Sequence, residues 1–207
     1  SQPIILYTDL AARKTKVLPS ALKNQAELQS MELDTVNHFV NVTYAVGNKG
    51  KNYQLVVKSF DEEGTPINQI VMDTQEDFAM MNGRLNMVSD STQIMFGTYG
   101  HKNSIGTQRG PTSQGIYFSK MLDNEMTDLK FYSFTDFKNF FNYLSEKQRL
   151  KQERKIQDKK DKGEDLRLDY RFLVHDIVKQ GDKYILVAEA FYADYRYNNF
   201  NNPYSPF

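Results

Sequence analysis

The feature that most constrains this chain is a recurring pattern of short β-rich runs separated by tight turns. Residues 38–46 and 53–60 are rich in Val, Tyr and Phe, and they flank the turn sequence Gly47–Gly50. Runs of this composition on either side of a glycine-containing turn are typical of a β-hairpin. A third run at 67–71 follows a turn at Asp61–Gly64. The sequence therefore predicts an antiparallel meander of three strands.

The same pattern recurs further along the chain. The later β-rich runs lie at 94–99, 115–119, 129–134, 172–178 and 184–192. Ile94 lies 54 residues after Val40 at an equivalent place in the pattern. Weak repeats of three or four strands with such a period are typical of propeller blades, so we expect a mainly β fold of about three propeller-like antiparallel blades. We treat residues 1–207 as a single domain of this kind or a fragment of one. The alternative is a β-sandwich whose hairpins resemble one another by chance.

Two stretches interrupt the strand pattern. Residues 9–30 contain several leucines, but Pro19 breaks any continuous helix, which leaves a short helix or an extended link. Residues 135–165 are predicted to form a helical insertion. Its first half carries apolar side chains at helical spacing, namely Phe137, Phe140, Phe141 and Leu144. Its second half, from Glu146 to Gly163, is almost entirely polar, which predicts a solvated helix that ends near Gly163.

Composition excludes several functions. The chain has 26 Lys and Arg against 26 Asp and Glu, so it has no general attraction for nucleic acid. It has no cysteine, which excludes disulfides, thiolate metal sites and cysteine nucleophiles. The sequence shows no apolar run long enough to span a bilayer, and we expect any signal peptide to have been removed. Residues 195–207 form a low-complexity tail of Tyr, Asn and Pro.

Few residues are candidates for a site. The polar loop between Gly100 and Gly115 contains three ligand-binding candidates, His101, Arg109 and Gln114. His38 and His175 lie at or within predicted strands, and no closely spaced histidine pair indicates a metal site. No Gly-x-Ser-x-Gly or phosphate-binding motif is present, so we predict no catalytic residues, no metal and no cofactor.

Clustered carboxylates raise the alternative of a glycoside hydrolase or glycan-binding module. Asp61–Glu63 and Asp123 with Glu125 both lie in predicted turns, where such side chains commonly bond to the backbone. A hydrolase needs two carboxylates roughly 5–10 Å apart in a cleft. The aromatic residues expected to line such a cleft are Tyr99, Tyr117 and Tyr192.

Four segments between residues 90 and 197 carry a resemblance to a known group of proteins. They are Gly97-Thr-Tyr99, Ser113-Gln-Gly-Ile-Tyr-Phe-Ser119, Phe131-Tyr-Ser-Phe-Thr-Asp-Phe137 and Tyr184-Ile-Leu-Val-Ala-Glu-Ala-Phe-Tyr192. Together they resemble uncharacterised propeller-like envelope proteins of Bacteroidota, in which a charged helical insertion follows the Phe-Tyr-Ser-Phe segment. The resemblance implies export to the periplasm or cell surface, and supplies no catalytic residues.

These observations predict a non-catalytic scaffold or protein-interaction module of a bacterial envelope protein or complex. A closed propeller needs at least four blades. We therefore expect the missing blades to come from other protein chains or from the remainder of its own chain. Nucleic acid is not an expected partner, and a glycan is the alternative ligand.

Overall fold

A computed structural model describes most of the chain. The described residues are 3–18, 22, 25–48, 51–73, 77–89, 91–102, 112–123, 125–164, 166, 168, 170–181 and 183–191. Within them the chain forms thirteen strands and one α-helix, so the prediction of a mainly β fold is confirmed.

The first half of the chain forms a short hairpin and a four-stranded sheet. The strands of the hairpin are β1 (Leu6–Asp9) and β2 (Lys14–Val17), and those of the sheet are β3 (Ala26–Asp34), β4 (Phe39–Asn48), β5 (Lys51–Phe60) and β6 (Pro66–Met72). The four sheet strands pair with their neighbours in sequence order, all antiparallel. Asn48 pairs with Lys51 at the end of the β4–β5 hairpin, which confirms the hairpin predicted around Gly47–Gly50.

The second half forms a five-stranded sheet, a helix and a further hairpin. The sheet strands are β7 (Phe78–Met80), β8 (Arg84–Ser89), β9 (Thr92–His101), β10 (Gly115–Leu122) and β11 (Glu125–Ser133). The helix is α1 (Glu146–Asp161), and the hairpin consists of β12 (Arg171–Gln180) and β13 (Lys183–Phe191). β7 and β8 pair with opposite ends of β9, so together they occupy one position at the edge of a β9–β10–β11 meander.

The sheets pack face to face, which follows from the alternation of side chains along each strand. One face of the four-stranded sheet packs against one face of the five-stranded sheet. The shared core consists of Ala45, Leu55, Val57, Ile70, Met72, Met80, Leu85, Met95, Tyr99, Tyr117 and Met121. The opposite face of the four-stranded sheet packs against the segment that contains β1 and β2 through a second core, to which Val42, Tyr44 and Phe60 belong. Each large apolar side chain buried in this way stabilises the fold by roughly 1.5–3 kcal/mol.

Gly97 allows β9 and β10 to lie close to the loop between β7 and β8, which contains Asn82. Gly97 pairs with Tyr117, and a Cβ atom at Gly97 would lie 1.9 Å from the Asn82 carbonyl oxygen. The Tyr117 hydroxyl donates a hydrogen bond to that same oxygen at 2.9 Å. A side chain at position 97 would therefore displace the backbone around Asn82.

Of the short helix and the extended link predicted for residues 9–30, the described residues show the extended alternative, since they contribute to β1, β2 and β3. The structure corrects one helix prediction. The apolar residues Phe137–Leu144 form turns after a 3₁₀ turn at Phe134–Asp136, so the prediction of a helix there is wrong. The physical reason is tertiary packing, because the ring of Phe140 stacks on Phe134 at a centroid separation of 4.6 Å. Phe134 in turn stacks on Phe172 of β12 at 4.2 Å.

The polar half of the predicted insertion does form a helix. α1 ends at Asp161 and has no buried residue, and Gly163 just beyond it adopts a positive φ of 67°. A glycine with this conformation commonly terminates a helix. Lys160 pairs with Asp136 at 2.8 Å and ties the helix to the 3₁₀ turn. No helix in the described part of the chain is long and apolar enough to cross a membrane.

Candidate binding surfaces

Gln114, one of the three predicted ligand-binding residues, contacts a neighbouring segment of the chain. Its side chain is buried, its Nε2 donates to the carbonyl of Leu168 at 2.9 Å, and its Oε1 accepts from the backbone N–H of Leu168 at 2.9 Å. These two bonds fix the segment that leads into β12 against the β9–β10 pair. Both amide atoms of Gln114 are thus engaged by protein.

His101 and Arg109 do not join Gln114 in a described site. His101 is the last residue of β9, is half-buried, and lies with its ring centroid 5.2 Å from that of Phe78. Arg109 lies outside the described residues, as does most of the loop in which it was predicted.

The other histidines and the clustered carboxylates lie at turns or on exposed strand faces. His38 Nδ1 is 2.9 Å from Glu62 Oε1, and His175 Nε2 is 3.3 Å from Glu189 Oε2. Asp61 Oδ1 accepts from the N–H groups of Glu63 and Thr65, as expected for a carboxylate that shapes a turn. No group of three potential metal ligands converges among the described residues.

The tyrosines expected to line a sugar-binding cleft are placed in the core. Tyr117 is completely buried and Tyr99 almost so, both between the two large sheets. Tyr192 lies outside the described residues. Tyr99 and Tyr117 therefore offer no ring face to a ligand.

The β12–β13 hairpin has two different faces. On its inner face Val174 and Ile177 are buried, Phe172 stacks on Phe134, and Tyr184 lies 6.1 Å from the ring of Phe96 in β9. The inner face therefore packs on the five-stranded sheet.

The outer face of the same hairpin is exposed and carries apolar side chains together with the charged side chains of Lys183 and Glu189. The register places Leu173 opposite Glu189, Asp176 opposite Val187, and Val178 opposite Ile185, so these side chains share one face. The apolar side chains of this face that are largely exposed are Leu173, Val178, Ile185, Val187 and Phe191. We call these five residues the outer face. Within the described residues β13 pairs only with β12, and no described strand pairs with its other edge.

A second exposed apolar region lies between β1 and β3. It is a groove of about 500 Å³. Its apolar lining consists of Ile5, Leu6, Tyr7, Leu18, Met31, Leu33, Val40, Val42 and Phe60. Its polar lining consists of Asp34, Thr35, His38, Asp61 and Glu62, together with the backbone of Gly64. We call this region the apolar groove.

A polar cavity of about 330 Å³ lies where β3, β8 and β12 meet. Its polar lining includes Glu32, Asp34, Asn41, Arg84, Asn86 and Asp176. Arg84 links the three strands, since its Nε donates to the carbonyl of Val174 in β12 at 3.4 Å and its guanidinium lies 3.9 Å from Glu32 Oε1 in β3. We call this the polar cavity.

Folding alters the protonation of Glu32 in this cavity. Burial raises the pKa of Glu32 from 4.5 to about 7, against the smaller opposing effects of a hydrogen bond from Ser30 and the charge of Arg84. Ser30 Oγ lies 3.1 Å from Glu32 Oε2, whereas Oε1 is buried with no hydrogen-bond partner within the described residues. Glu32 is therefore partly protonated near neutral pH.

Sequence patterns missed all three regions. Glu32, Arg84 and Asp176 are far apart in sequence and meet only through the stacking of sheets. Comparison of the chain with protein-family models, curated proteins and solved structures finds no match.

Proposed function

We propose that the protein is a non-catalytic scaffold or protein-interaction module whose β12–β13 hairpin accepts an extended strand from a partner protein. The observation that carries this proposal is the outer face together with the edge of β13 that no described strand pairs with. An isolated two-stranded hairpin is marginally stable in water, and three or more strands with a buried face are usually needed. Packing of the inner face stabilises one side of this hairpin and leaves the other side open.

Strand addition uses both exposed features at once. A partner strand along β13 forms main-chain hydrogen bonds with the open edge, and its alternate side chains extend the apolar outer face. Natural proteins usually protect a long apolar edge with charges, proline or a cover, because it otherwise promotes aggregation. The nine residues of β13 carry charge only at Lys183 and Glu189. A strand partner is therefore the expected cover.

The proposal includes a propeller-like arrangement of the sheets. Two features favour it. Each large sheet contains a meander in sequence order, and β8 of the second unit contacts both β3 of the first and β12 of the third. In such an arrangement β12 and β13 are the first two strands of the third blade, and the strand added along β13 takes the place of its next strand. The resemblance to Bacteroidota envelope proteins favours the periplasm or cell surface as the location.

The test is selection of a random ten-residue peptide library on the immobilised protein. We expect the selected peptides to be rich in Val, Ile, Tyr and Phe at alternate positions, because such residues suit a pleated surface. Val187→Lys places a charge on the outer face and is expected to weaken their binding at least tenfold. Leu150→Lys on α1 is the matched control, since Leu150 is exposed to a similar extent as Val187 but lies on the solvated helix.

Equal loss of binding in both variants, or no loss in either, would contradict strand addition. Circular dichroism of each variant checks that the fold is retained.

The polar cavity favours a glycan-binding module as the second candidate. Its amide, carboxylate and guanidinium groups match the donors and acceptors of sugar hydroxyls, and its volume lies at the lower end of the range for small-molecule sites. A titration with neutral monosaccharides, followed by NMR of the Asn41 and Asn86 side-chain amides, tests it. Unchanged resonances at millimolar sugar would exclude this candidate.

A further inference from the structure

We propose that the apolar groove is a second docking site, which binds an apolar protein segment flanked by lysine or arginine residues. This site lies between β1 and β3 and adjoins the polar cavity, with which it shares Leu33, Asp34 and Thr35, whereas strand addition takes place along β13. The apolar groove binds the side chains of its occupant, whereas the edge of β13 binds the backbone of a partner strand. Either site can therefore bind when the other does not.

Incomplete cover of one sheet face creates the groove. The register places Leu28 opposite Tyr44, Met31 opposite Val42, and Leu33 opposite Val40, so these side chains share one face of the four-stranded sheet. The segment that contains β1 and β2 covers the β4 and β5 part of that face, where Val42 and Phe60 are buried. On β3 no described segment provides such a cover, and Leu33 is 70% exposed.

The floor and walls of the groove favour an apolar occupant. Ile5, Leu18, Val42 and Phe60 are already buried in the core beneath it, while Leu6 and Met31 extend the apolar surface outward. Removing exposed apolar surface from water is worth roughly 25 cal/mol per Å². Apolar side chains of a partner segment that fill this space therefore supply the main part of the binding free energy.

The charges around the groove select the flanks of the occupant. Asp61 and Glu62 line it, and neither Lys nor Arg is among its lining residues. Asp34 also lines it, but its buried carboxylate accepts hydrogen bonds from Val36 and Asn37. The pKa of the Tyr7 hydroxyl is raised, first by burial and then by the nearby carboxylates of Asp9, Glu63, Asp61 and Glu62. An acidic potential of this kind attracts a segment with basic flanks and disfavours one with acidic flanks.

Two local contacts moderate this potential without cancelling it. Lys16 lies 5.2 Å from the centroid of the Tyr7 ring. His38 pairs with Glu62 at 2.9 Å, but both side chains are largely exposed, and exposed pairs are weak. Glu62 is therefore accessible to a basic group of the occupant.

The test uses three synthetic decapeptides with the intact protein. The first has a leucine and phenylalanine centre flanked by lysines, the second has the same centre flanked by glutamates, and the third has a serine centre flanked by lysines. We expect the first to bind about fivefold more tightly than the second at low salt, with the difference shrinking in 0.5 M salt. The third is expected to show no saturable binding.

Variants assign the binding to the groove. Glu62→Lys is expected to remove most of the preference for lysine flanks. Leu33→Ser is expected to lower the affinity for the first peptide at least fivefold. Glu153→Lys on α1 is the matched control for charge, and it is expected to change neither value. Leu33 and Glu62 are largely exposed, so neither substitution is expected to unfold the protein.

Hydrogen exchange separates this site from the hairpin. The proposal predicts protection by the first peptide in β1 and β3. Equal affinity for lysine and glutamate flanks would overturn the proposal. Protection confined to β13 would also overturn it, although strand addition at the hairpin would then be supported.

Discussion

Glu32 provides a quantitative test of how the sheets meet at the polar cavity. Its side chain is only 18% exposed, which limits the screening of its charge by solvent. The charged groups that share the cavity are Asp34 on the same strand, Arg84 on β8 and Asp176 on β12. The Glu32→Gln substitution removes the ionisable group while keeping a similar size and an oxygen that accepts from Ser30.

The expected effect follows from the change in pKa on folding. The pKa of Glu32 rises from 4.5 to about 7, so the folded state binds more protons than the unfolded state between these values. The stability that this group contributes is therefore complete below about pH 4.5 and is lost as the pH rises through 7. One pKa unit is worth 1.36 kcal/mol, which gives a loss of about 2.5 kcal/mol between pH 5 and pH 8. In a chain of this size the loss corresponds to roughly 5–10 °C in melting temperature.

The assay is urea unfolding of the wild type and Glu32→Gln at pH 5 and pH 8. We expect similar free energies of unfolding at pH 5, and a variant more stable than the wild type by about 2–3 kcal/mol at pH 8. Glu27→Gln, at an exposed position on the same strand, is the matched control and is expected to follow the wild type. If Glu32→Gln loses stability with pH in parallel with the wild type, Glu32 is not the group responsible and the cavity is more hydrated than the structure indicates.

Two further substitutions test close packing in the second half of the chain. Gly97→Ala brings a Cβ atom to 1.9 Å from the carbonyl oxygen of Asn82, so the backbone must shift. We expect the free energy of unfolding in urea to fall by about 3 kcal/mol or more, and a fall of under about 1 kcal/mol would contradict the close approach. Gln114→Ala removes both hydrogen bonds to the backbone of Leu168. We expect the free energy of unfolding to fall by about 1–3 kcal/mol and the amide of Leu168 to exchange faster, whereas unchanged exchange there would contradict the tethering role.

Turn chemistry made the hairpins predictable from the sequence. The runs around Gly47–Gly50 and after Asp61–Gly64 became β4, β5 and β6 because the glycines and acidic residues specify where the chain reverses. The solvated helix was equally predictable, since the segment from Glu146 to Asp161 has almost no apolar residue to bury. Both signals are local.

Long-range packing explains the failures. The spacing of Phe137, Phe140 and Phe141 suits a helix. Phe140 and Phe141 instead pack in a cluster with Phe134 and with Phe172, which comes from β12. β1 and β2 are four residues each and have little apolar periodicity. The polar cavity and the apolar groove arise from strands far apart in sequence, so no local pattern identifies them.

The most direct test of the proposed function is amide hydrogen exchange of β13 in the protein alone and saturated with a selected peptide. Strand addition predicts that about every second amide of β13, those facing away from β12, exchanges rapidly in the free protein. The same amides are expected to become protected when the peptide binds, with little change in α1. Binding that leaves the exchange of β13 unchanged would contradict the account.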